Sequence, residues 1–402
     1  MKFPATLDPA AFLAGYWQKK PLFLPSGMDP SRPTLSPDEL AWLATLPDVE
    51  SRLIYTHDNG TNCSYSIEHG PFDEADLMRL PESNWTLLVQ DVDKHLPDFR
   101  ALFEQVPFVP DWRIDDVMVS FAAPGGSVGP HLDQYDVFLC QGEGRREWRL
   151  TTSDKAVASD VSAELSLLRP FDAEWEHLAE NGDVLYLPPG IPHWGIATDR
   201  CMTYSIGMRA PQLSEFMATH QRLFPGSQGL PRPALSQSTG HATFYRDPDL
   251  DVDEARPGLI SEHALRRMRA CWRLPDDSVP DELTVTFGCL VTEPKPWLTP
   301  ERLSITASRK LVSNLQQRDT LPLHGMARVA YATGPAGSAG AARVFANGFH
   351  REVDASLTGH VAELCRQRQL RAANHDQWRK AGPLREFLVW LLACGVFDLG
   401  DE

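Results

Sequence analysis

Between Asp116 and Met208 the apolar residues come in short runs closed by Gly, Pro, Asn or Asp. The runs are Asp116–Ala122, Asp136–Cys140, Glu147–Thr151, Asp183–Leu187 and Met202–Met208. Their length and β-branched content suit strands, and no helical pattern intervenes. Strands without crossover helices bury their apolar face by closing on one another, as a barrel or sandwich. Residues 1–210 are therefore read as one mostly-β domain after a helical start. Gln141-Gly-Glu-Gly144, between two runs, is read as a hairpin loop.

The pattern changes after Arg209-Ala-Pro211. Leu213, Phe216, Met217, His220, Leu223 and Phe224 fall at helical spacing, and a second helix is expected across Ile260–Trp272. Pro225–Gly240 reads as a loop and Asp247–Glu254 as a solvated turn. Two helices with so little core of their own would pack against a second copy, so residues 211–278 are assigned as a helical dimerisation segment. From about residue 280 helix and strand mix. Leu283–Val291 is read as a strand, and Ala327–Ala332 and Arg343–Ala346 as a hairpin about the turn Gly334–Gly340. Leu357, Val361 and Leu364 suit an amphipathic helix, as does Leu384–Leu392. A hairpin beside helices makes residues 279–402 winged-helix-like. The fold class expected is α+β and multidomain, as the length of 402 residues requires.

The net charge of −16 argues against a general nucleic-acid binder, since phosphates would be repelled, and favours a basic protein partner. The seven cysteines are scattered and form no CxxC, which excludes a disulfide framework or zinc knuckle and fits a reducing cytoplasm. The chain shows no signal-peptide core, and its most apolar stretch, Phe387–Cys394, is far too short to span a membrane.

The chemistry gathers in Gly129-Pro-His-Leu-Asp-Gln-Tyr-Asp136. On a strand, residues two apart share a face, so His131 and Asp133 aim the same way. Some sixty residues later Asn181-Gly-Asp-Val-Leu-Tyr-Leu-Pro-Pro-Gly-Ile-Pro-His-Trp194 runs turn, strand, rigid loop, histidine. That order returns His193 to the same barrel mouth. Two imidazoles and one carboxylate on one side of a metal form the facial triad of non-haem iron(II) oxygenases, with room opposite for a chelating 2-oxo acid and dioxygen. A lone HxD carries no such weight; the weight lies in its combination with the distant histidine. In Gly144-Arg-Arg-Glu-Trp-Arg-Leu150 alternation puts Arg146 on the apolar face with Trp148 and Leu150. A buried guanidinium needs an anion, and its planar fork suits a carboxylate. Arg146 is thus the expected clamp for 2-oxoglutarate. Ser120 and Tyr204, on neighbouring strands, are read as adding hydrogen bonds to it.

These residues resemble the Jumonji-type, cupin-fold ribosomal oxygenases, and most closely the bacterial ribosomal-protein arginine hydroxylases. The resemblance is carried by Asp115-Asp-Val-Met-Val-Ser-Phe-Ala-Ala-Pro-Gly-Gly-Ser-Val-Gly-Pro-His-Leu-Asp-Gln-Tyr-Asp-Val-Phe138 and by Gln141-Gly-Glu-Gly-Arg-Arg-Glu-Trp-Arg149. Tyr16-Trp-Gln-Lys-Lys-Pro-Leu22 and Tyr204-Ser-Ile-Gly-Met-Arg-Ala-Pro211 add to it. It is dense over residues 10–211 and only architectural beyond, where Gly334–Ala342 has no counterpart. It implies a double-stranded β-helix core, a homodimer, and β-hydroxylation of one arginine in the sixteenth large-subunit ribosomal protein. The family's metal ligands fall on His131, Asp133 and His193, and its 2-oxoglutarate arginine on Arg146. A ribosomal-protein histidine hydroxylase shares the metal site and differs in the substrate pocket. A Jumonji lysine demethylase shares it too, but no histone-reader module accompanies it. The rival of another class is a non-catalytic metal-binding scaffold docked on ribosomal protein.

Overall fold

The five expected strands form, and six more join them. In chain order they are β1 (Leu22–Leu24), β2 (Ser51–Asp58), β3 (Cys63–His69), β4 (Trp85–Val89), β5 (Ile114–Ala122), β6 (Val137–Gln141), β7 (Arg146–Leu150), β8 (Trp175–Ala179), β9 (Val184–Leu187), β10 (His193–Ala197) and β11 (Cys201–Met208). The computed structural model describes residues 1–29, 32–58, 63–152, 167–226, 244–274, 280–315, 320–333, 341–371 and 375–400. They divide into two units. The first comprises Met1–Pro107, Ile114–Arg209 and Pro248–Asp251; the second comprises Phe108–Arg113, Ala210–Asp247 and Val252–Glu402.

In the first unit the strands make a large sheet, ordered β1-β9-β6-β11-β5-β4-β2-β3, and a small one, β10-β7-β8. From β6 onward the chain moves back and forth between the two sheets, which defines a double-stranded β-helix. This corrects the hairpin expected at Gln141–Gly144. β6 pairs with β9 and β11, while β7 pairs with β10 and β8. The glycines there serve a passage between sheets: Gly144 has φ +68°, and a Cβ on it would lie 2.0 Å from the Arg200 carbonyl oxygen.

The two faces of the large sheet carry different chemistry. Inward, Val137, Leu139, Leu185 and Leu187 meet Trp148, Leu150 and Ala179 of the small sheet. Outward, Phe138 and Tyr186 pack on Phe12 and Trp17 of the N-terminal segment, with Phe12–Tyr186 ring centroids 5.0 Å apart. A buried polar knot holds that layer. The Asp136 carboxylate accepts from the Tyr186 hydroxyl (2.6 Å) and the Gln18 amide (2.7 Å), and the Gln18 backbone N–H donates to Tyr186 Oη (2.8 Å). Two conspicuous sequence features, the early Tyr-Trp-Gln and the last Asp of the HLDQYD run, thus meet in one structural contact.

In the second unit the expected helices form at Leu213–Leu223, Glu262–Trp272, Thr358–Gln367 and Pro383–Ala393. The first two do not lack a core: Phe216, Met268 and Trp272 are buried in one cluster with Phe287, Ala330 and Phe345 of the same chain. The strand expected at Leu283–Val291 is instead a helix, Pro280–Thr292. Its Thr and Val residues carry strand propensity, but burial on nearly every side overrides it. The hydroxyls of Thr286 and Thr292 bond back to the carbonyls of Glu282 and Gly288, both at 2.7 Å. The hairpin pairs Val329–Thr333 with Ala341–Ala346, and Phe349–Asp354 adds a third strand. The turn Gly334–Gly340 and most of Pro225–Gly240 lie outside the described residues. Arg113 and Asp247, both fully buried, form a two-bond ion pair at 2.8 and 3.0 Å. Among the described residues no helix is long and apolar enough to cross a membrane.

Candidate active site

His131 and His193 face each other across a short bridge at the mouth of the two sheets. The His131 N–H donates to the His193 carbonyl (2.9 Å), and the His193 N–H to the His131 carbonyl (2.8 Å). This pairing brings the imidazole centroids to 4.2 Å. Asp133 follows two residues after His131, and its carboxylate lies 3.7 Å from His193 Nε2. One ligand atom from each of the three lies within 4.8 Å of the others, as one ion requires.

The tautomers are set by the backbone. His131 Nδ1 lies 2.9 Å from the Gly129 carbonyl oxygen, and His193 Nδ1 2.9 Å from that of Ile191. A carbonyl only accepts, so both Nδ1 atoms carry the proton and both Nε2 atoms offer a lone pair. Burial, and next the neighbouring His131, lower the His193 pKa to about 4, which keeps it neutral at ordinary pH. His193 is buried while His131 and Asp133 are half-exposed, so the cluster is closed on one side and open on the other.

β7 buries Arg146, Trp148 and Leu150 and leaves Glu147 and Arg149 partly exposed. Arg146 is 3% exposed, and its Nε and Nη2 have no hydrogen-bond partner among the described residues. The Trp148 ring, 5.7 Å from its Cζ, supplies no anion. An uncompensated guanidinium in an apolar interior is costly, and a dicarboxylate reaching in from the mouth would relieve it. The residues present therefore fit both a metal and 2-oxoglutarate.

Ser120 lies on the inward face of β5, opposite Thr203 of β11. Tyr204 does not share that face. Its cross-strand neighbours are Val119 and Cys140, its hydroxyl accepts the Leu35 N–H (3.0 Å), and its ring stacks on Phe99. Strand alternation thus removes Tyr204 from the interior and puts Ser205 there, whose buried hydroxyl lacks a partner among the described residues. Sequence reasoning also passed over Tyr135 and Gly195. Tyr135 continues the two-residue spacing of His131 and Asp133, and the Asp133 charge raises its pKa well above the ordinary value although its side chain is exposed. At Gly195 a Cβ would lie 2.6 Å from the Trp148 ring, so only glycine lets the indole close the floor.

The fold and the site define a facial-triad oxygenase on a double-stranded β-helix. The JmjC domain family matches residues 101–216. Escherichia coli ribosomal protein uL16 3-hydroxylase is 39% identical over 269 residues, 67% of this chain and 67% of that protein. A probable ribosomal oxygenase of Haemophilus influenzae is 37% identical over 258 residues, 62% of this chain and 57% of that protein. A crystal structure of E. coli YcfD superposes with a TM-score of 0.72 at 31% identity, covering 99% of this chain and 100% of that one. YcfD in complex with cobalt and 2-oxoglutarate does so at 0.68 and 31%, over 98% of each. The chain belongs to the bacterial ribosomal oxygenases of the JmjC type. It is a metal- and 2-oxoglutarate-dependent oxygenase.

Proposed function

We propose that this chain hydroxylates an arginine of ribosomal protein uL16, the sixteenth of the large subunit, using iron(II), 2-oxoglutarate and dioxygen. The observation that carries the chemistry is the buried Arg146, whose Nε and Nη2 find no partner among the described residues, on the same inner face as His193 of the His131–Asp133–His193 cluster. The substrate assignment is supported by the likeness to the uL16 3-hydroxylase and by the acidic chain, which favours encounter with a basic protein.

His131 and His193 would hold the metal through Nε2, and Asp133 through its carboxylate. Once bound, the metal and 2-oxoglutarate supply the oxidation: 2-oxoglutarate and dioxygen give succinate and carbon dioxide, and one oxygen atom enters an unactivated C–H bond. Arg146 would fork onto the far carboxylate of 2-oxoglutarate, and Ser120 would add a hydroxyl. The Trp148–Leu185–Leu187 floor keeps water from the closed side.

The test is succinate formation by the iron-loaded chain with a uL16 peptide, with fragment mass spectrometry to place the added oxygen. An oxygen on histidine would make the chain a histidine hydroxylase instead. No turnover with any basic ribosomal protein would leave a metal-binding scaffold. Homodimerisation through residues 211–278 and a winged-helix-like role for residues 279–402, in a cytoplasmic enzyme, complete the proposal on the family likeness. Light scattering giving a monomer would remove the dimer.

A further inference from the structure

Ser127 is 1% exposed and lies in the Gly-rich approach to His131. Its hydroxyl donates to the Gly195 carbonyl (2.7 Å) and accepts from the Gly129 N–H (3.0 Å) and the Trp194 indole N–H (3.0 Å). One donor and two lone pairs are the full capacity of a serine hydroxyl, and all are used. On one side the bond reaches Gly129, whose carbonyl takes the Nδ1 proton of His131. Gly129 is held from both ends: Ser127 binds its N–H and His131 its oxygen. Its φ of +84° is left-handed, and a Cβ there would stand 2.9 Å from both Tyr65 and Leu167, which leaves it no other residue type. On the other side the bonds reach Trp194 and Gly195, the two residues that follow His193.

We infer that Ser127 is a positioning residue that locks the two histidine ligands into one spacing by tying the turn before His131 to the strand after His193. The inference rests on the metal reading of that site. Strand pairing brings the two backbones together through two bridges, residue 127 with 196 and residue 131 with 193. Ring direction at His131 then depends on residue 129, which lies between the bridges and is reached by neither. Outer partners of this kind typically set about 10- to 100-fold in metal affinity. Replacing the hydroxyl leaves the buried Gly129 N–H, the part-buried Trp194 indole N–H and the Gly195 carbonyl without the one group that joins them.

The test is titration of the metal-stripped full chain with cobalt(II), read by its visible absorption, which reports ligand geometry without any turnover. Ser127→Ala is expected to weaken binding about 10- to 100-fold and alter the spectrum. Tyr186→Phe, which weakens the outer layer but touches neither histidine, is expected to bind cobalt as the parent does. Should Ser127→Ala fail to fold by circular dichroism, Ser127→Cys, with weaker hydrogen bonding in the same shape, is expected to bind with intermediate affinity. Unchanged affinity and spectrum in the folded Ser127 variant, or equal weakening in Tyr186→Phe, would overturn the inference. A parent chain that binds no cobalt would instead sink the metal reading, and the role of Ser127 with it.

Discussion

Replacing Arg146 by Met should make the metal-loaded protein more stable and blind to 2-oxoglutarate. Arg146 is 3% exposed, with Nε and Nη2 lacking a partner among the described residues, and a buried arginine keeps its charge. Leaving a buried polar group unpaired costs about 1–3 kcal/mol, more when charged. Methionine fills a similar length without that penalty, so an unfolding midpoint higher by about 2–4 °C per kcal/mol is expected for a domain of this size. Two charge-assisted bonds to a carboxylate contribute about 1.5–3 kcal/mol each, so affinity for 2-oxoglutarate should fall about 10²- to 10⁴-fold. The assay is thermal unfolding with and without 2-oxoglutarate at about 100 times the parent's Kd. The parent should gain about 2.7 kcal/mol and the variant under about 0.4. A variant stabilised by 2-oxoglutarate as much as the parent would refute the clamp.

His131→Ala should abolish metal-dependent succinate formation with an unchanged circular dichroism spectrum; retained turnover would exclude it as a ligand. Because folding lowers the His193 pKa from 6.5 to about 4, the unfolded chain takes up the proton first as pH falls. The metal-free protein should therefore lose on the order of 3 kcal/mol between those pH values, with this stabilisation complete above 6.5. Urea midpoints against pH for the parent and His193→Gln should diverge over that window, and parallel curves would contradict it. Gly195→Ala, whose Cβ would lie 2.6 Å from the Trp148 ring, should cost about 1–3 kcal/mol, read as a lower thermal midpoint; an unshifted midpoint would show that the indole has room to give.

The strands from Asp116 to Met208 could be read from sequence because their period and punctuation are local, and so could the shared direction of His131 and Asp133. The faces of whole strands could not be read the same way. Alternation assigned Arg146 to the side of Trp148 because apolar neighbours marked that side. On β11 every residue is buried, so nothing in the pattern told Tyr204 from Ser205. Only the register with β5 separates them: Thr203 stands opposite Ser120, and Tyr204 opposite Val119. The helix at Pro280–Thr292 misled for a related reason, since β-branched residues lose their strand preference when surrounded on all sides.

By itself the sequence determined the residue types available to the site and the short-range spacing that lets two of them share a face. Tertiary structure alone decided that His193 meets His131 through a backbone bridge, that Gln141–Gly144 passes between sheets, and that Ser127 reaches both histidine-bearing segments. The physical reason is range. Side-chain direction along a strand follows from bond geometry within a few residues, whereas strand partners are chosen by which apolar faces can be buried together.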